Sequence, residues 1–218
     1  MKQSPHTLLP LIRHIAYIIV ICSMAIAVCV GIISDNTEMI LYALATILLL
    51  AIPWITDRYA HIQIPPFLEL ICILFLFASV TLAKLLDFYT LIPAWDLILH
   101  GISGPLLTAI GISLLGLWKF NGHGTSVLPP LCIVLFGFFF ATTAAALWEF
   151  YEFAFDALVG TQMQKFEYYR GILDTGLFDT MSDMLIATAG AAAYALLTWI
   201  DLRFLKGKIT TQLYLKKK

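Results

Sequence analysis

Apolar residues fall into six long blocks, at about 14–33, 38–55, 66–86, 96–118, 127–155 and 180–201, with short polar stretches between them. A membrane-crossing helix needs about 20 mostly apolar residues at ~1.5 Å of rise each. Every block meets or approaches that length, so six spans are expected. Asp35, Asn36 and Thr37 make a tight first turn, and TDRYAHIQIPP (56 to 66) supplies the second connection. Pro65 and Pro66 suit the first turn of the third span, where a missing backbone N–H is harmless. DFYTLIPAW (87 to 95) and KFNGHGTSVLPP (119 to 130) make the next two connections. The fifth, at about 157–178, is the longest. No internal repeat is visible.

Composition removes the soluble alternative. Of the 218 residues 61% are hydrophobic and 12% charged, and the mean hydropathy is +0.89. A soluble domain carries about 25% charged residues. The expected fold is all-α: a polytopic integral membrane helical bundle forming a single transmembrane domain over residues 1–218. The first block is long for the core of a signal peptide and is read as a retained span. A formal charge of −1 gives no reason to expect a nucleic-acid partner. Cys22, Cys29, Cys72 and Cys132 all lie within apolar blocks and read as small buried hydrophobes without a disulfide framework.

Basic residues give the expected orientation. With the N-terminus cytoplasmic, ten of the 13 lysines and arginines fall on the cytoplasmic side, leaving only Lys84, Lys165 and Arg170 outside. The positive-inside bias therefore predicts that both termini are cytoplasmic.

A charge within hydrocarbon costs a few kcal/mol or more, so each acid inside a span calls for a reason. Asp96 and His100 are spaced i,i+4 at the start of the fourth span. Glu149, Glu152 and Asp156 share one face at the end of the fifth. Asp179 and Asp183 repeat the i,i+4 spacing at the start of the sixth. Threading the spans brings these three groups to one depth near the outer face, whereas Glu69 belongs to the inner end of the third span. Six carboxylates and one imidazole in a small volume can share protons. Alternatively they can hold a divalent cation such as Mg, Mn, Ca or Zn, for which these oxygen and nitrogen donors are suited. No organic cofactor is indicated. Bland readings compete: Asp96 and Asp179 also fit as helix caps, and interfacial acids are cheap. Gly101, Gly104, Thr108 and Gly111 give the fourth span a small face suited to close packing.

The blocks IPPFLEL (64 to 70), WDLILHGISG (95 to 104), LWEFYEFAFDALVGTQMQ (147 to 164) and GLFDTMSDMLIATAGA (176 to 191) appear in an order that resembles the YjdF-like family of bacterial inner-membrane proteins. The resemblance covers roughly residues 58 to 201. It implies a membrane fold and directs attention to Glu69, Asp96, His100, Ser103, Glu149, Glu152, Asp156, Gln162, Asp179 and Asp183. It implies no reaction.

Three functions remain open. The first is a transporter of a cation or small solute, coupled through the carboxylates. The second is a metal-dependent hydrolase or transferase acting on a lipid-linked substrate, with Glu149, Asp183, His100 and Ser103 as the candidate catalytic groups. The third is a non-catalytic scaffold. The expected partners are membrane lipids and, at the site, an ion or a lipid-linked substrate.

Overall fold

The computed structural model describes residues 5–120, 128–161, 163–164, 168–169, 172–173 and 176–217. Six helices among them are long and apolar enough to cross a membrane: Leu8–Ile33, Thr37–Ala60, Pro66–Leu85, Trp95–Leu117, Pro130–Leu158 and Leu177–Phe204. The chain is an all-α polytopic membrane protein. Its helices are α1 (Pro5–Ile33), α2 (Thr37–Ile55), α3 (Pro66–Leu76), the short α4 (Phe88–Leu91), α5 (Trp95–Phe120), α6 (Pro130–Val159) and α7 (Leu177–Phe204). Wider π-type turns continue α2 over Thr56–Ala60 and α3 over Phe77–Leu85.

Local chemistry sets several boundaries. Asn36 caps α2, its side-chain oxygen accepting from the Met39 N–H at 2.9 Å. Pro66 and Pro130 occupy the first positions of α3 and α6, where proline's fixed φ is already helical. Gly160 ends α6 in the left-handed region at φ 75° and donates its N–H to the Asp156 carbonyl at 3.2 Å.

The chain divides into two compact units. The first comprises residues 1–95, 113–125 and 211–218. Its core is a seam of Ala16, Val20, Met24 and Ala27 from α1, packed with Ala43, Leu50, Leu70 and Ile73. A buried hydrogen bond of 2.8 Å joins Ser23 to Thr81. The antiparallel pair Ile62–Gln63 (β1) and Lys216–Lys217 belongs to this unit.

The second unit comprises residues 96–112 and 126–210 and is held by small residues. A side chain at Gly104 would run into the Ala187 carbonyl and lie 2.8 Å from the Ala191 nitrogen. A side chain at Gly190 would lie 2.6 Å from the Gly101 carbonyl oxygen. Pro105 cannot donate to that oxygen, since it has no N–H, and the glycine surface of α7 fills the space beside it. The small face expected on the fourth span is thus the surface on which α7 approaches, as in other membrane helix pairs. A short antiparallel pair, Tyr168–Tyr169 (β2) with Ile172–Leu173 (β3), lies between α6 and α7 in sequence.

All four cysteines are free, and Cys22, Cys29 and Cys132 lie exposed on their helices rather than buried, as their apolar setting suggested. A helix surface that faces lipid accepts a small apolar side chain as readily as the protein interior does, so hydropathy alone does not tell the two apart.

Candidate metal centre

The second unit gathers Asp96, His100 and Asp183. One ligand atom from each lies within 4.8 Å of the others. His100 Nε2 stands 3.8 Å from Asp96 Oδ1 and 3.8 Å from Asp183 Oδ2. Those separations exceed the roughly 2.7–3.2 Å of an N–H···O hydrogen bond. Two atoms that each bind one ion at about 2.1 Å stand at most about 4.2 Å apart. Closing the widest gap to that limit takes a side-chain adjustment of a few tenths of an ångström. The donor set, one imidazole and two carboxylates, fits Zn or Mn better than Ca, which prefers six to eight oxygens.

Helix geometry explains the grouping. Asp96 and His100 share a face through their i,i+4 spacing on the first turns of α5. Asp183 comes from the second turn of α7. The Gly104–Ala187 and Gly101–Gly190 approaches, within two turns of these residues along both helices, bring the backbones close enough for the pair to meet it. The cluster is well enclosed, with Asp183 2% and His100 9% exposed.

Two further acids belong to this neighbourhood. Glu149 and Glu152 are 4% and 6% exposed, and Glu152 lies within electrostatic reach of Glu149, Asp96 and Asp183. Trp148 donates its indole N–H to Glu152 Oε1 at 2.8 Å. Of the expected set, Asp96, His100 and Asp183 lie together, and Glu152 is within electrostatic reach of Asp96 and Asp183.

Other expected site residues have different places. Asp156 binds the chain that follows α6. Its Oδ1 accepts from the Thr161 hydroxyl at 2.6 Å and the Met163 N–H at 2.8 Å, and its Oδ2 from the Gln164 N–H at 2.9 Å. Asp179 sits in the first turn of α7, outside the three-residue group. The Ser103 hydroxyl donates to the His100 carbonyl at 2.8 Å, an ordinary helical back-bond, and not to the imidazole that would have to activate it. Gln162, Lys165 and Arg170 lie outside the described residues. Lys84 belongs to the first unit, where it pairs with Glu38 at 2.9 Å and lies over the rings of Tyr42 and Tyr89.

Two polar arrangements escaped the sequence reading. Glu69, 8% exposed, accepts from Arg13 Nη1 at 2.8 Å and from the Tyr17 hydroxyl at 2.7 Å. The signal was available: Arg13 and Tyr17 share a helix face by their i,i+4 spacing, on the same expected side of the membrane as Glu69. Asp201, also buried, accepts from the Thr210 N–H at 2.8 Å, the Thr210 hydroxyl at 2.7 Å and the Ile209 N–H at 3.2 Å. An acid in the last turn of a span, followed by a Lys-Gly-Lys turn and threonines, was its only mark.

Comparison with curated proteins and with solved structures finds no match. The family model described as "Predicted membrane protein (DUF2238)" matches residues 15–203. That stretch takes in all of the acids just described, and the chain belongs to this membrane-protein family.

Proposed function

We propose that this chain is a multi-pass protein of the bacterial inner membrane, both termini cytoplasmic, that binds a divalent cation through Asp96, His100 and Asp183. The observation that carries the reading is the 3.8 Å separation of His100 Nε2 from a carboxylate oxygen on either side, in an enclosure that also holds Glu149 and Glu152. So much acid with one imidazole is unfavourable in a dry interior unless protons or a cation balance it.

Among uses of such a site, hydrolysis or group transfer on a lipid-linked substrate fits best. Three protein ligands leave coordination positions for water and substrate, the pattern of catalytic rather than structural sites. A cation bound there would polarise the ester or phosphoryl oxygen of the substrate. Glu149 and Glu152 are then the carboxylates available to accept a proton, and Trp148 fixes the rotamer of Glu152 through its indole N–H. Transport of a cation or small solute is the second reading, favoured by the burial of these acids on membrane-spanning helices. It loses its inner station, because the carboxylate of Glu69 is already engaged by Arg13 and Tyr17.

The test is Mn2+ binding to the purified full chain in detergent, followed by electron paramagnetic resonance. Wild type should bind with micromolar or better affinity, and H100A and D183N should not. Absence of binding in wild type, or equal binding in all three, overturns the reading. Mn2+-dependent release of product from lipid-linked esters, without Mn2+ uptake into proteoliposomes, separates catalysis from transport.

A further inference from the structure

Asp156 lies one turn beyond Glu152 on α6, and Thr180 lies one turn before Asp183 on α7, so both stand about 5 Å along their helices from the acids of the cluster. The described chain between them is tied at both ends. The Asp156 carboxylate takes the Thr161 hydroxyl and the Met163 and Gln164 amides. Gln164 Nε2 then donates to the Thr180 hydroxyl at 2.9 Å, and Gln164 itself is buried. Gly176, immediately before α7, has φ 80°, and a side chain there would lie 2.8 Å from the Gln164 carbonyl oxygen. The segment is therefore seated against the head of α7 by its backbone as well as by its side chain. A carboxylate in the last turn of a helix opposes the helix dipole, and three donors from the segment it holds are what keep Asp156 there.

We infer that Thr161, Met163 and Gln164 form a strap, anchored by Asp156 on α6 and by the Gln164–Thr180 bond on α7, that shields Asp183 from water and fixes it opposite Asp96 and His100. Asp156 is a positioning residue, not a ligand. This deepens the cation reading and rests on it for its purpose, while its geometry can be tested without any ion.

The test uses the full chain with its four cysteines replaced and a single cysteine at 183 (D183C), treated in detergent with a water-soluble methanethiosulfonate reagent well below the unfolding temperature. With the strap intact, modification should be slow. Adding D156N should speed it at least tenfold, and adding T180V or Q164A should speed it by a smaller factor. An unchanged rate in D156N overturns the strap, whatever the cation does. If D156N fails to fold, T180V and Q164A decide by the same criterion, since they loosen only the α7 end. In parallel, Mn2+ affinity is measured with Asp183 present. Loss of about 10- to 100-fold in D156N, the usual effect of a group that orients a ligand, supports the positioning role. Wild type that binds no Mn2+ ends the cation reading and leaves the strap to stand or fall on the modification rate.

Discussion

The two units each bury acid inside a membrane helix, and they handle it in opposite ways. In the first, one carboxylate, Glu69, meets one guanidinium and one phenol, at 2.8 Å and 2.7 Å. Charge is balanced within the protein, and Arg13 keeps one edge exposed. In the second, Asp96 and Asp183 flank one imidazole, and Glu152 lies within electrostatic reach of both. A carboxylate met by a guanidinium holds a fold together by itself, whereas acids grouped around one imidazole form the donor set that a cation would take.

That contrast can be broken from either side. The largest effect should come from R13A, which leaves Glu69 buried without its cation and should destabilise the chain by about 3–5 kcal/mol, read by thermal unfolding in detergent. D183N should do the reverse. In cation-free buffer it should leave stability unchanged or raise it, while weakening Mn2+ binding at least 100-fold, about 2.7 kcal/mol. If D183N destabilises the cation-free protein as R13A does, the second cluster is an ordinary hydrogen-bonded network. Next comes G104A, which forces α5 and α7 apart at the Ala187 carbonyl. An overpacked contact costs roughly 1–3 kcal/mol, and Mn2+ affinity should fall along with stability, because Asp183 moves with α7. The smallest effect on the site should be Y17F. It removes one hydrogen bond to a charged group, worth about 1.5–3 kcal/mol of stability, and leaves Mn2+ binding untouched.

The spans were legible because a bilayer demands a long apolar run, and little else in a sequence produces one. Their ends were less so. α6 continues past the apolar block to Val159, because Asp156, where the block stops, is followed by Ala157, Leu158 and Val159 before Gly160 ends the helix. α1 likewise begins at Pro5, well before the apolar run. For the acids, periodicity placed Glu149 and Glu152 on one face, and threading brought them toward Asp96, His100 and Asp183. What it could not do was tell a carboxylate that faces the cluster from one that turns back onto its own chain. Asp156 continues the face of Glu149 and Glu152 by spacing, yet lies in the last turn of α6, where the backbone N–H groups of the chain that follows outcompete a distant ion. The Arg13–Tyr17–Glu69 group spans more than 50 residues of sequence and needs the packing of α1 on α3 to become visible.

Asp201 carries a consequence for how the chain is made. Its donors come from Lys208, Ile209 and Thr210, so the carboxylate near the end of α7 leaves the ribosome before the groups that hold it. Until those residues follow, Asp201 lacks the donors that fix this end of α7. A chain truncated before residue 209 should enter the membrane yet leave that end of α7 loose, because Asp201 then lacks the Ile209 and Thr210 donors.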